Sequence, residues 1–80
     1  MNCVVSARVN AGLDALIRVM GVLRRKTFQI RDVHMVPSEH LGYSDLRFTL
    51  EERGAYSAEQ AVHFMNKLED VRDIRLTRED

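Results

Sequence analysis

The stretch Arg8-Val-Asn-Ala-Gly-Leu-Asp-Ala15 is the part of this 80-residue chain best placed for binding chemistry. An apolar run of one period ends there and a run of another period begins, so a strand hands over to a helix with Asn10 and Gly12 at the corner. The first turn of a helix carries unpaired N–H groups and a positive dipole end, which suit an anionic ligand. On the residues alone, this corner is either such a site or simply a turn. The other reactive side chains offer less. His34, His40 and His63 lack metal-ligand spacing and have no thiols or paired carboxylates near them, so no metal is expected. Ser6 and Ser44 have no evident base, and Glu51-Glu52 reads as a solvated strand end. Arg24-Arg25-Lys26 reads as a solvated helix end rather than a nucleic-acid patch. No catalytic residue and no cofactor are expected.

The elements that position the corner follow from periodicity. Cys3, Val5, Ala7 and Val9 alternate with Val4, Ser6 and Arg8, the pattern of a half-buried strand. From Leu13 the period changes, and Leu13, Leu16, Ile17, Met20 and Leu23 predict one buried helical face. Gly21 costs helix stability, so a close contact with another helix is expected there. Arg24 to Lys26 close the helix, where positive charge suits the dipole. Thr27 falls where a left-handed glycine is usual, and a β-branched residue would be strained there, so another kind of ending is expected.

QIRDVHMV, Gln29 to Val36, reads as a strand with a phase slip: Ile30 joins Val33 and Met35 only across one extra residue, which predicts a β-bulge near Arg31–Asp32. Pro37 to Tyr43 is a loop, and Ser44 to Glu51 alternates cleanly with Leu46, Phe48 and Leu50 on one side. Glu52 to Tyr56 turns the chain at Gly54. Ser57 and Gln60 fit a capping box for a helix reaching about Leu68. Ile74 and Leu76 mark a last strand.

The order β-α-β-β-α-β, with no linker, low-complexity tract or internal copy longer than a half, predicts an α+β ferredoxin-like domain over 1–80. Both helices should cover one face of a four-stranded antiparallel sheet. The other face would carry Ser6, Arg8, Asp45, Arg47, Thr49, Asp73 and Arg75 and stay solvated. The second strand is an edge in this topology, so edge pairing can join two subunits. Twelve acidic and twelve basic residues balance, so no global field points to nucleic acid or membrane. The single Cys3 fits a reducing compartment, and neither a membrane span nor a secretion signal is visible; a soluble cytoplasmic domain is expected.

Chemistries hosted by this fold can be tested in turn. A copper-chaperone loop needs two thiols, and VNAG has none. An RNA-recognition sheet needs outward aromatics, while Phe48 belongs to the inward set. An acylphosphatase-like enzyme, the alternative of another class, needs an arginine in the first loop, which is absent.

RVMGVLRRKTFQI, Arg18 to Ile30, resembles the small regulatory subunits of acetolactate (acetohydroxyacid) synthase, whose ACT domain has this same element order. The resemblance rests on Arg18, Val19, Gly21, Lys26, Phe28 and Ile30 and runs on through Val33 and Met35. Asn66-Lys-Leu-Glu-Asp-Val71 looks like the end of the family's second helix and the start of its last strand, and Val5-Ser-Ala-Arg8 is similar to the opening strand of the short, single-domain members. The resemblance implies a non-catalytic homodimer, joined through strand edge and first helix, that activates a thiamine-diphosphate-dependent catalytic subunit. It also implies a branched-chain effector (valine, leucine or isoleucine) at the dimer interface. Carried onto this chain, that site is Asn10, Ala11, Gly12, Leu13 and Asp14, facing Ile30, Arg31, Asp32 and Val33 across the interface. Two departures stand out. The family's first-turn glycine falls on Asp14 unless a gap is placed, and a single ACT domain is expected, without the second domain of longer members. A free-standing ACT amino-acid sensor for another enzyme is the alternative within the same fold.

Overall fold

In the computed structural model, which describes residues 2–52 and 57–79, the chain runs β1 (Asn2–Val9), α1 (Gly12–Arg25), β2 (Gln29–Pro37), β3 (Ser44–Glu51), α2 (Ala58–Met65) and β4 (Val71–Glu79). The turn expected at Gly54 lies outside the described residues. The strands form one antiparallel sheet in the order β2-β3-β1-β4. Alternation works as the pattern requires: Cys3, Val5 and Val9 are fully buried, as is Leu50, with Leu46 and Phe48 almost so. These side chains share one core with Ala15, Val19 and Leu23 of α1 and Ala58, Ala61 and Met65 of α2.

Helix α1 sits differently from the expected face. Ala15, Val19 and Leu23 are the buried residues, with Leu16 and Met20 partly covered, while Leu13 and Ile17 are 63% and 62% exposed. At about 100° per residue the apolar arc runs from Ala15 past Leu16 and Met20 to Leu13 and Ile17, more than one sheet contact can cover. The sheet takes the side with small and β-branched residues and leaves the other bare. Gly21 does not mark a close helix contact within the chain. A Cβ there would meet nothing within 4 Å.

The end of α1 also departs from expectation. Thr27 does take a left-handed conformation, φ 66°. Its N–H donates to the Arg24 carbonyl at 3.0 Å and the Phe28 N–H to the Leu23 carbonyl at 3.1 Å, the two bonds of a Schellman ending. Burial of Phe28 beside Leu23 in the core, together with a 2.6 Å hydroxyl bond from Thr27 to the Lys26 carbonyl, offsets the strain. A left-handed L-residue costs about 1–2 kcal/mol, part of which glycine returns as chain entropy. Thr27→Gly is therefore expected to stabilise the fold by about 1 kcal/mol, seen as a melting point about 4–8 °C higher.

Strand β2 carries the expected bulge. Arg31 pairs with Thr49 and His34 with Arg47, so Asp32 and Val33 together face Phe48. Asp32 takes φ 54° at its first position. Ile30 and Met35 pack on the core, but Val33 is left 41% exposed, because the extra residue sits at the bulge itself. A second bulge went unread in the sequence. On β4, Ser6 pairs with Arg75 and Arg8 with Arg72, and Asp73 takes φ 55°. Ile30-Arg-Asp-Val-His-Met35 and Val71-Arg-Asp-Ile-Arg-Leu76 are thus one motif used on both edges of the sheet.

The capping box at α2 forms as expected: Ser57 Oγ accepts from the Gln60 N–H and Gln60 Oε1 from the Ser57 N–H. The helix ends at Met65, short of Leu68. The Lys67, Leu68 and Val71 amides donate instead to Phe64, Met65 and Leu68, a run of tight turns.

Candidate functional site

The corner after β1 is built by two successive left-handed residues, Ala11 (φ 63°) and Gly12 (φ 50°). No side chain among the described residues caps the helix, and the Asp14 N–H is taken by the Ala11 carbonyl at 3.1 Å. The amides of Gly12 and Leu13 are left as first-turn donors without a helical acceptor. Asn10 is occupied elsewhere. Its backbone N–H donates to the Asp70 carbonyl at 3.0 Å, and its side-chain amide lies 3.2 Å from that carbonyl and from Asp70 Oδ1, so the orientation that satisfies both acceptors is the one with the amide nitrogen turned toward them. Arg18 pairs with the same Asp70 carboxylate. Asp70 therefore ties together the end of β1, the middle of α1 and the start of β4. Asp14 is exposed in the first turn, where its charge favours the helix end by about 0.3–1 kcal/mol.

The second group, Ile30 to Val33, lies around the β2 bulge. Ile30 is half-buried, while Arg31, Asp32 and Val33 are exposed, and Arg31 approaches Asp32 at 3.8 Å. Register separates the two groups. The corner follows Val9, which is level with Ser44 and Pro37, whereas Ile30 is level with Leu50 and Cys3. Val33, facing Phe48, is level with Val5, so four to six residues at about 3.3 Å each put the two groups roughly 13–20 Å apart along the sheet. One protomer does not bring them together.

The remaining chemistry is structural. Cys3 is buried, its thiol donates to Glu52 Oε1 at 3.4 Å, and Arg78 donates to its sulfur at 3.4 Å. Burial, then the bond to Glu52, pushes the thiol's pKa up, so it is held protonated and unreactive. Glu52 Oε2 accepts the first amide of α2, from Ala58, at 2.8 Å, and Arg78 bridges Glu52 to Glu59. That amide bond holds the Glu52 carboxyl below its ordinary 4.5. The Arg78 guanidinium does the same for Glu59, and both carboxylates keep Arg78 firmly charged. A depressed carboxyl contributes stability above its unfolded pKa and loses it as pH falls through the folded value. Melting points measured from pH 6 down to pH 3 should fall below about pH 4.5 by less in Glu52→Gln than in the parent chain, whose carboxylate is being protonated there.

Among the described residues, no group of three His, Cys, Asp or Glu side chains could hold a metal. The first loop brings no arginine to the corner, since Arg8 points to the open sheet face and pairs with Asp73 at 2.7 Å. An acylphosphatase-like cradle is therefore not formed at this corner. Lys26 and Lys67 stack their ammonium groups 5.0 and 5.9 Å from the Phe64 ring, so the end of α1 docks beside α2. Among the described residues, no helix is long and apolar enough to cross a membrane.

Compared with known proteins, residues 13–74 match the family model of the ACT domain. No curated protein matches in sequence. Among solved structures, a formyltetrahydrofolate deformylase from Pseudomonas putida KT2440 shares the fold with a TM-score of 0.68. It is 10% identical, and the similarity covers 99% of this chain but 29% of the deformylase. That likeness is one of fold alone.

Proposed function

This chain belongs to the ACT-domain family, and from that premise we propose that it is the regulatory subunit of an acetolactate synthase, without catalytic activity of its own. ACT domains commonly dimerise and bind amino acids. The observation that carries the reading is the bare apolar side of α1, Leu13 and Ile17, on a sheet whose β2 edge is unpaired within the chain. The synthase itself is suggested by the residues of Arg18 to Ile30, which resemble its small subunits, and by Asn66 to Val71. In this reading residues 1–80 form one ACT domain that works in the cytoplasm as a two-fold dimer.

Two-fold pairing of β2 edges also supplies a reason for the separated site groups. If two β2 strands pair antiparallel about their middle, near His34, the partner's Ile30–Val33 end comes level with this protomer's Pro37. That is the level of Asn10 to Asp14. An amino-acid carboxylate would then meet the Gly12 and Leu13 amides, and its side chain the apolar residues across the interface. Asp14 sets a negative charge at the same helix end, which weakens carboxylate binding.

Activation would act through the geometry or stability of the catalytic subunit's active site, and any effector through its different affinity for the dimer's states. The test mixes the purified chain with its cognate thiamine-diphosphate-dependent catalytic subunit and follows pyruvate condensation. A rate that rises and saturates with added chain is expected; no binding and no change in rate would overturn the reading.

A further inference from the structure

The open face of the sheet holds a hollow that neither the corner nor the bare helix side uses. Its volume is about 680 Å³, within the usual range for small-molecule sites, and Ser6, Arg8, His34, Arg47, Asp73 and Arg75 are among its lining residues. Register explains why these residues meet. His34 pairs with Arg47, Arg47 with Ser6 and Ser6 with Arg75, so they form one row across all four strands. The two bulges make that row. His34 has the parity of core-facing Ile30, and Arg75 that of buried Val71. Without one extra residue in each edge strand, both would be aimed into the core.

Charge then distinguishes two rows. In one, Arg8 lies opposite Asp45 and is bonded to Asp73, so its guanidinium is occupied by carboxylates. In the other, Arg47 and Arg75 make no ion pair with the described residues, and small Ser6 stands between them. Strands about 4.8 Å apart put the two arginine backbones about 10 Å apart on either side of Ser6. Both guanidinium forks can therefore converge on a group seated over its hydroxyl. Donors from two sides and from the floor suit a tetrahedral oxyanion better than a planar carboxylate, which offers two oxygens in one plane. Three arginines against Asp45 and Asp73 leave the hollow net positive.

We infer that this row binds the phosphate group of a small phosphorylated molecule, held by Arg47 and Arg75 from the two sides and by the Ser6 hydroxyl from below. The hollow is larger than a phosphate alone, leaving room for an organic body toward exposed Val36. His34 extends the row beyond Arg47 as a further donor. The inference is independent of the proposed dimer and its effector.

The test is an NMR titration of the ¹⁵N-labelled full chain with inorganic phosphate and, separately, with glycerol 3-phosphate. Saturable shifts of the Ser6, Arg47 and Arg75 amides are expected, with the ester binding more tightly than inorganic phosphate. Arg47→Gln and Arg75→Gln should each weaken the ester by about tenfold or more, whereas Arg72→Gln, whose guanidinium stacks on Tyr43 at 5.5 Å, should change it less than about twofold. All three positions are exposed, and the amide spectrum itself reports whether each variant keeps its fold. Failure to saturate, equal binding by both arginine variants and parent, or shifts centred on Gly12 and Leu13 would overturn the assignment. So would an ester no tighter than inorganic phosphate. A glutamate-rich peptide binding more tightly than the ester would make the face a protein-docking surface and overturn it as well.

Discussion

Phe48→Ala is expected to remove about 3–5 kcal/mol of folding stability, the range for deleting a buried ring. Phe48 is 1% exposed in the middle of β3, one of the two interior strands. It pairs with Val5 on one side and faces the Asp32–Val33 bulge on the other. The cavity cannot collapse easily, because hydrogen-bonded strands hold both flanks. At roughly 0.05–0.15 kcal/mol per residue, a chain of this size has about 4–12 kcal/mol in all, so the loss takes a large share of it. Urea denaturation should show a much lower midpoint with an unchanged slope. Arg47→Gln, one residue earlier but on the open face, should move the midpoint by no more than about 0.5 kcal/mol equivalent. Equal effects at the two positions would contradict the assigned faces of β3.

Ile17→Glu is expected to have the opposite signature: stability of the single chain nearly unchanged, and association abolished. Ile17 is 62% exposed and adds little to the core of its own chain. In a two-fold interface each substitution counts twice. Fully burying such a side chain stabilises by about 1.5–3 kcal/mol, and Ile17 has 62% of its surface left to cover, so the pair accounts for about 2–4 kcal/mol. Its loss raises the dimer dissociation constant by about one to three powers of ten, before any cost of bringing two carboxylates together. Sedimentation should show dimer for the parent and monomer for the variant, with matching far-ultraviolet circular dichroism. A monomeric parent chain, or a dimeric Ile17→Glu, would remove the helix side from the interface.

Much of this architecture was legible because strands announce themselves by alternation. Cys3 to Val9 and Leu46 to Leu50 read correctly since one face is buried and the other wet. The β2 bulge was legible for the same reason, as a break in parity between Ile30 and Met35. Its twin on β4 was not, since Ile74 and Leu76 alternate without a break and the slip shows only against Val71. Aligning IRDVHM with VRDIRL would have exposed it. Helix α1 misled because its apolar arc is wider than one contact, and periodicity cannot say which half meets the sheet. Thr27 was judged by local preference, which the burial of Phe28 overrides. The corner was located by the change of period, but Asn10's engagement with Asp70 is a contact across sixty residues that no local pattern carries. The row over Ser6 was half visible as outward residues, while its alignment depends on two registers that only pairing reveals.

The unlike edges of the sheet bear on how assembly stops. A sheet with two open borders can in principle add copies at both and grow into a ribbon. Both borders carry charge at their bulges, Arg31 and Asp32 on β2 and Arg72, Asp73 and Arg75 on β4, but among the described residues only β2 adds exposed aliphatic side chains, Val33 and Val36. Pairing two β2 edges would cover those valines, a gain that pairing at β4 does not offer. In the dimer proposed above, edge pairing is therefore favoured at one border only, which would close assembly after a single pairing rather than extend it into fibres.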